Sequence, residues 1–324
     1  MPMAEPHDDF RTGLIVPAVT ALDERGELIE QDQRRLIRHC LQGGAGAIFS
    51  PGTTGEFLHL QNDQRIRLME LTIDEIRSCG GKAEAWPVVN GMTSDQTLEN
   101  LKTALAVGVD RIFIAPLAIE NLEVEHITAF MQKAAAIASG RPLPVCLYEN
   151  PEISAHATCR LLPPPIMQQL CRIPGVAGLK ISVDLEEVKR LLRMIEEINE
   201  RSVTAVYLGN EQAPFSLDLS TPLLRGVVAG TGNMLPQEWT DAWKACIRGD
   251  TKEKETYRQA FEDLTYAASN KFISAIKWGL WRLGILSSAA VKPATPKLTE
   301  EEGRRFTETF EEVKARLRKY GNRH

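Results

Sequence analysis

Short apolar runs rich in β-branched residues alternate along this chain with longer stretches whose apolar positions recur at three- and four-residue spacing. The first run, residues 13–22 (GLIVPAVTAL), ends at Asp23-Glu24-Arg25-Gly26, a strand followed by a turn. Ile29, Leu36, Ile37, Cys40 and Leu41 then fall largely on one helical face, and Gly43-Gly44 supplies the stop. The unit repeats with a strand over 45–51 and a helix over 63–79, whose face is Ile66, Met69, Ile73 and Ile76. It repeats again with strand 83–90 and helix 94–107, then strand 111–116 and helix 124–139. Strand 144–148 precedes a helix after Pro165, strand 176–182 precedes the amphipathic helix 184–199, and strands 204–208 and 226–231 follow.

About eight strands at roughly 30-residue spacing, most followed by a helix, predict a parallel sheet and, at this repeat number, an α/β fold of the (β/α)8 TIM barrel class. A doubly wound open sheet is the competitor, but no Gly-x-Gly-x-x-Gly turn follows the first strand to favour it. Beyond residue 250 the strands stop. Residues 252–268, 271–283 and 300–320 have helical spacing, with a loop carrying two prolines over 291–297. The expected organisation is a catalytic barrel over 1–249 and an all-helical C-terminal extension over 250–324.

Composition narrows the function classes. The 324 residues are 43% hydrophobic and 25% charged with a net charge of −5, the profile of a globular protein with a large core. No Lys/Arg patch interleaved with aromatics occurs, so no nucleic-acid partner is expected. The six cysteines lack any Cys-x-x-Cys pair, which leaves neither a zinc site nor a redox dithiol and suggests a reducing compartment. The polar, acidic stretch 1–10 has no apolar run followed by a cleavage site, and nowhere do 18 uninterrupted apolar residues occur. A cytoplasmic protein without a membrane partner is expected.

In a barrel, chemistry belongs at the C-terminal ends of the strands. There, Lys180 interrupts the apolar strand Val176 to Ser182. Burial lowers a lysine's pKa, and a neutral amine can attack a ketone; the structural alternative is a lysine that snorkels outward or pairs with a carboxylate. The second strand runs into Gly52-Thr53-Thr54-Gly55-Glu56, either a plain turn or a cradle for a carboxylate. The fifth ends in Tyr148, a candidate proton shuttle, followed by Glu149-Asn150-Pro151, and the seventh ends at Gly209-Asn210-Glu211. Together these point to an imine mechanism on a 2-keto acid, with Lys180 as nucleophile, Tyr148 moving the proton, and Thr53 and Thr54 fixing the carboxylate.

The order GTTGE, strand-end Tyr, then Gly-x-Lys resembles the dihydrodipicolinate synthase and N-acetylneuraminate lyase family of Schiff-base barrel enzymes. The resemblance extends over residues 12–320 and takes in Pro17-Ala18-Val19-Thr20, Val89-Asn90-Gly91 and the stretch from Gly226 to Asn233. It implies Lys180 as the imine lysine, with Tyr148 and Thr54 as its catalytic partners. It also implies a substrate site drawn from Gly52, Thr53, Thr54, Gly209 and Val228, with no metal, no cofactor and a homotetramer.

Three departures bear on the substrate. Synthases of that family usually carry Pro-Tyr-Tyr after the fourth strand, whose second tyrosine joins a proton relay across a subunit contact; here the stretch is Pro116-Leu117-Ala118. They place an arginine five residues after the strand-end tyrosine to hold a second carboxylate, and this chain has Ile153, with Glu149 where asparagine is common. The sialic acid lyases resemble Gly-Tyr-Asp-Glu after the seventh strand and have a serine in the eighth, against Gly209-Asn210-Glu211-Gln212 and Gly230 here. The expected reaction is cleavage or formation of a carbon–carbon bond in a hydroxylated or sugar-derived 2-keto acid, with pyruvate and an aldehyde as partners. Candidate specificity residues are His59, Glu149, Asn210 and Glu211. The alternatives are the synthase proper, a keto-deoxy sugar acid dehydratase using Glu149 as its acid, and a non-catalytic 2-keto-acid-binding barrel. A metal aldolase would need paired ligands, and the six histidines are dispersed.

Overall fold

The computed structural model describes residues 13–141 and 143–321; the polar stretch 1–10 lies outside them. Eight parallel strands run β1 (Gly13–Val16), β2 (Ala47–Ile48), β3 (Glu84–Ala85), β4 (Ile112–Ile114), β5 (Val145–Glu149), β6 (Val176–Ile181), β7 (Ala205–Leu208) and β8 (Leu224–Val228). Their order is β3-β2-β1-β8-β7-β6-β5-β4, and a parallel bridge between Val88 and Phe113 joins the two ends, closing the barrel. The strands are shorter than their apolar runs, because residues past each rim turn into loops that carry polar side chains.

Between them lie α1 (Glu30–Gln42), α2 (Asn62–Ser78), α3 (Ser94–Val107), α4 (Val124–Ser139), α5 (Pro164–Leu170), α6 (Leu185–Glu197), the single turn α7 (Ala213–Ser216) and α8 (Pro236–Arg248). Local chemistry sets their ends. The Thr93 hydroxyl and the Asp184 carboxylate accept from the Gln96 and Glu187 amides at 3.2 and 2.9 Å, capping α3 and α6. Helix α8 is missing from the expectations above, although Pro236 at its first position, the face Trp239, Ala242, Trp243 and Cys246, and Gly249 just past its end are its start, face and stop.

The extension is α9 (Thr251–Ala268), α10 (Phe272–Arg282) and α11 (Glu300–Gly321). It docks on α8, where the Trp239 and Phe261 rings stack with centroids 4.0 Å apart. No described helix is long and apolar enough to cross a membrane.

Two apolar cores follow from strand alternation. Odd-phase side chains such as Leu14, Val145, Leu179 and Val206 pack outward against the helices. Their neighbours Ile15, Phe49, Trp86, Phe113, Cys146, Tyr148, Tyr207 and Val228 fill the barrel. Edge-to-face contacts of Phe49 with Phe113 (5.0 Å) and Trp86 with Tyr207 (4.8 Å) make that interior a solid floor. Above it, at the C-terminal rim, a polar layer opens to a cavity.

Candidate active site

Three inward positions on β6 and just past its end, Gly178, Lys180 and Ser182, are spaced two apart, so the register that buries Leu179 and Ile181 among the helices sends Lys180 into the barrel. Lys180 is 5% exposed. Its ammonium lies 3.6 Å from the centroid of the Tyr148 ring and 4.9 Å from that of Phe49, and it donates to the Ser182 hydroxyl at 3.0 Å. Tyr148 is its cross-strand partner in the β5–β6 register.

The Tyr148 hydroxyl is 3.1 Å from the Thr53 hydroxyl and receives a hydrogen bond from the Asn150 side-chain amide at 2.8 Å. Burial pulls the Lys180 amine below the usual lysine range, opposed by its attraction to the Tyr148 oxygen. Burial by itself would raise the Tyr148 phenol; the charge of Lys180 beside it, with hydrogen bonds from its neighbours, outweighs this and holds the phenol below its ordinary value. An amine biased toward neutrality thus faces a phenol biased toward ionisation.

These groups line a cavity of about 270 Å³ at the C-terminal mouth of the barrel, with Thr53, Thr54, Tyr148, Lys180, Gly209, Asn210, Glu211 and Val228 in its wall. Eight residues named from the sequence, drawn from five strands or their following loops, are therefore brought together. Gly209 is required by close approach: a Cβ there would fall 2.0 Å from the Ser182 hydroxyl that receives the Lys180 bond. A larger, open groove of about 1010 Å³ on the helical extension shares none of these residues.

Other expected residues lie elsewhere. Glu149 alternates outward from Tyr148 and is buried behind β5, where its Oε1 accepts from the Leu162 amide at 3.0 Å, so it is outside the cavity and cannot serve there as a dehydratase acid. Gly52 is buried against the Phe49 ring and does not line the cavity. His59 is exposed at the end of a short 3-10 turn, also outside it. Glu56 turns away from the two threonines into a buried ion pair with Lys277 at 2.5 Å.

The cavity also holds residues that sequence reasoning passed over: Asn150, Glu152, Ser182 and Phe272. Ser182 and Asn150 were legible through the period of two from Lys180 and Tyr148; Phe272 comes from the helical extension, and no local signal announces it. Glu211 is in the wall, but both its oxygens are engaged by the Thr231 amide (3.0 Å) and hydroxyl (2.5 Å), and burial raises its pKa. Asn210 spends its amide on the Val183 carbonyl and its oxygen on the Gln212 amide, both at 2.9 Å. Glu152 is exposed at the rim. Among the described residues of the wall, Lys180 is the sole basic side chain and no arginine is present. No group of three or more His, Cys, Asp or Glu side chains able to hold a metal occurs among the described residues.

A model of the dihydrodipicolinate synthetase family matches residues 10–313. Proteins named 4-hydroxy-tetrahydrodipicolinate synthase from Methylococcus capsulatus and Pseudomonas aeruginosa are each 25% identical to this chain over 291 residues, covering 87% of it and 92% of the other protein. Among solved structures, YagE, a prophage protein of E. coli K12 from the dihydrodipicolinic acid synthase family in complex with pyruvate, superposes with a TM-score of 0.81 at 21% identity, over 94% of this chain and 98% of that one. A structure of 4-hydroxy-tetrahydrodipicolinate synthase from Methylacidiphilum fumariolicum gives the same TM-score at 18% identity, over 96% and 98%.

Proposed function

The chain belongs to the dihydrodipicolinate synthetase family and is a lyase of the Schiff-base aldolase type, and from that premise we propose that Lys180 forms the imine and that the substrate is a hydroxylated or sugar-derived 2-keto acid. The carrying observation is the Lys180 ammonium 3.6 Å over the Tyr148 ring at the mouth of a closed barrel.

In the synthetic direction the neutral Lys180 amine adds to the keto carbon of pyruvate. The carbonyl oxygen collects two protons and leaves as water, giving the imine. The protonated imine draws electrons from the adjacent methyl carbon; Tyr148 as phenolate removes a proton there, and the resulting enamine attacks the aldehyde carbon. The phenol returns its proton to the new alkoxide, and water releases the product and the free amine. Cleavage is the same sequence reversed. Thr53 and Thr54 line the wall beside Tyr148 and supply hydroxyls for the keto acid's carboxylate.

Three features support a neutral, hydroxyl-rich second partner. The described wall offers no guanidinium for a second carboxylate, and Glu152 places a negative charge at the rim. The buried, apolar Ile153 stands where the synthases of the family hold an arginine. The synthase reading retains the names of the relatives in its favour. A homotetramer belongs to the same proposal, to be checked by sedimentation of the purified chain.

Pyruvate with borohydride should add irreversible mass to the peptide carrying Lys180. Lys180→Ala should abolish it, whereas Tyr148→Phe should keep trapping while turnover falls by about 10²–10⁴-fold. Label on another residue, or none, would reject the imine at Lys180. A panel of keto-deoxy sugar acids then separates the reactions: pyruvate release marks a lyase, and loss of water without pyruvate marks a dehydratase.

A further inference from the structure

Asn150 touches the reacting phenol without any role in the scheme above. Its side chain is 3% exposed and makes two hydrogen bonds that fix its orientation. The Glu152 backbone amide, a group that can only donate, lies 3.1 Å from Oδ1, so that atom must be the carbonyl oxygen. The other atom, 2.8 Å from the Tyr148 hydroxyl, is then the NH2 group, and the phenol oxygen accepts from it. With Asn150 donating, the phenol's own proton is directed to a hydroxyl oxygen such as that of Thr53 at 3.1 Å, and when the phenol ionises its oxygen accepts from Asn150 alongside Thr53, Ser182 and Lys180.

From this fixed donor we propose that Asn150 is the positioning residue that stabilises the phenolate form of Tyr148 and so sets its capacity to take and return a proton. The inference deepens the reading of Tyr148 as the proton shuttle and rests on it. A donor aimed at an oxygen that becomes charged strengthens as the charge develops, so it favours ionisation rather than merely holding the ring. Neutrality suits the task, because a carboxylate beside the phenol would oppose phenolate formation, whereas an amide donor does not. The same residue caps the turn Pro151–Ile153, so its structural and chemical roles must be separated.

Asn150→Asp separates them: the shape and the oxygen that accepts from the Glu152 amide stay, and the donor to Tyr148 goes. Asn150→Leu removes both. Ultraviolet difference titration of the full chain, with Tyr148→Phe as the blank for the other four of its five tyrosines, reads the Tyr148 phenol without any substrate. We expect the phenol to titrate about one pH unit higher in Asn150→Leu and higher still in Asn150→Asp. Exchange of pyruvate methyl protons in D2O should slow by about 10–100-fold in both, with the limb on which the rate rises with pH displaced upward to match. An Asp variant that keeps the wild-type titration and exchange rate would overturn the role and leave Asn150 as a turn cap. Borohydride trapping in the wild type judges Lys180 separately, so the two readings fail by different results.

Discussion

Glu149 is a carboxylate in an expensive place. One oxygen accepts from the Leu162 amide, and the other, Oε2, has no hydrogen-bond partner among the described residues. Burial pushes its pKa up to about 7; the Leu162 amide and Arg190 oppose this and Glu187 adds to it. The folded state therefore holds this proton more tightly than the unfolded chain, whose carboxyl titrates near 4.5. Between those two values the folded protein binds more protons, so stability falls as pH climbs through the window, and the loss is complete above about 7. Glu149→Gln keeps the shape and an oxygen for the Leu162 amide without the charge. It should leave stability little changed below the window and raise it by roughly 1–3 kcal/mol above it, measured by urea denaturation across that range. A difference independent of pH would show that the charge is not what destabilises. Since Glu149 turns out of the cavity, turnover should change far less than in the Asn150 variants.

The loop after β5 is where element geometry meets specificity. Asn150 fixes its first turn, the Ala155 amide donates to the Leu117 carbonyl at 2.8 Å, and Glu152 is left at the rim with its backbone pinned. Lys180 responds to that carboxylate, which raises its affinity for a proton. An incoming aldehyde with its own carboxylate meets like charge, while a polyol finds an acceptor. Glu152→Gln should raise kcat/KM for carboxylate-bearing aldehydes about five- to tenfold relative to neutral hydroxyaldehydes. Equal change for both classes would remove Glu152 as a filter. Much of this level was legible in sequence, because strand alternation is a local property: it sends Lys180, Ser182, Tyr148 and Asn150 inward, and by the same count it sends Glu149 outward. Helix α8 was legible as well, in its Pro start, its Trp face and its Gly stop. The hydrogen bonds of Asn150 were not, since they depend on how a turn folds back on its own strand.

At the scale of the whole molecule the helical extension is wired into the active-site loop. Glu56, two residues past Thr54, has a left-handed backbone (φ 60°) and turns its carboxylate away from the cavity. There it meets the Lys277 ammonium of α10 at 2.5 Å, the Lys292 amide at 2.7 Å and the Thr295 hydroxyl at 2.8 Å, the last two on the loop that joins α10 to α11. Lys277 is fully buried; burial lowers its pKa against the pull of Glu56. The partners lie more than 200 residues apart, so no window of sequence could pair them. Desolvating both charges offsets most of their attraction, which makes the pair weak as a source of stability and costly to break from one side. Lys277→Met should destabilise by roughly 3–5 kcal/mol, because the Glu56 carboxylate is left buried with only neutral partners. Adding Glu56→Gln should recover much of that loss, giving a coupling energy above about 1 kcal/mol in a double-mutant cycle read by chemical denaturation. The cycle has a functional arm. Where the single variant lets the loop relax, Thr53 and Thr54 move with it, so KM for the keto acid should rise more than kcat falls, and the double variant should restore KM in step with stability. Additive energies, or a KM untouched by Lys277→Met, would mean that the extension stabilises the barrel without positioning its carboxylate-binding loop.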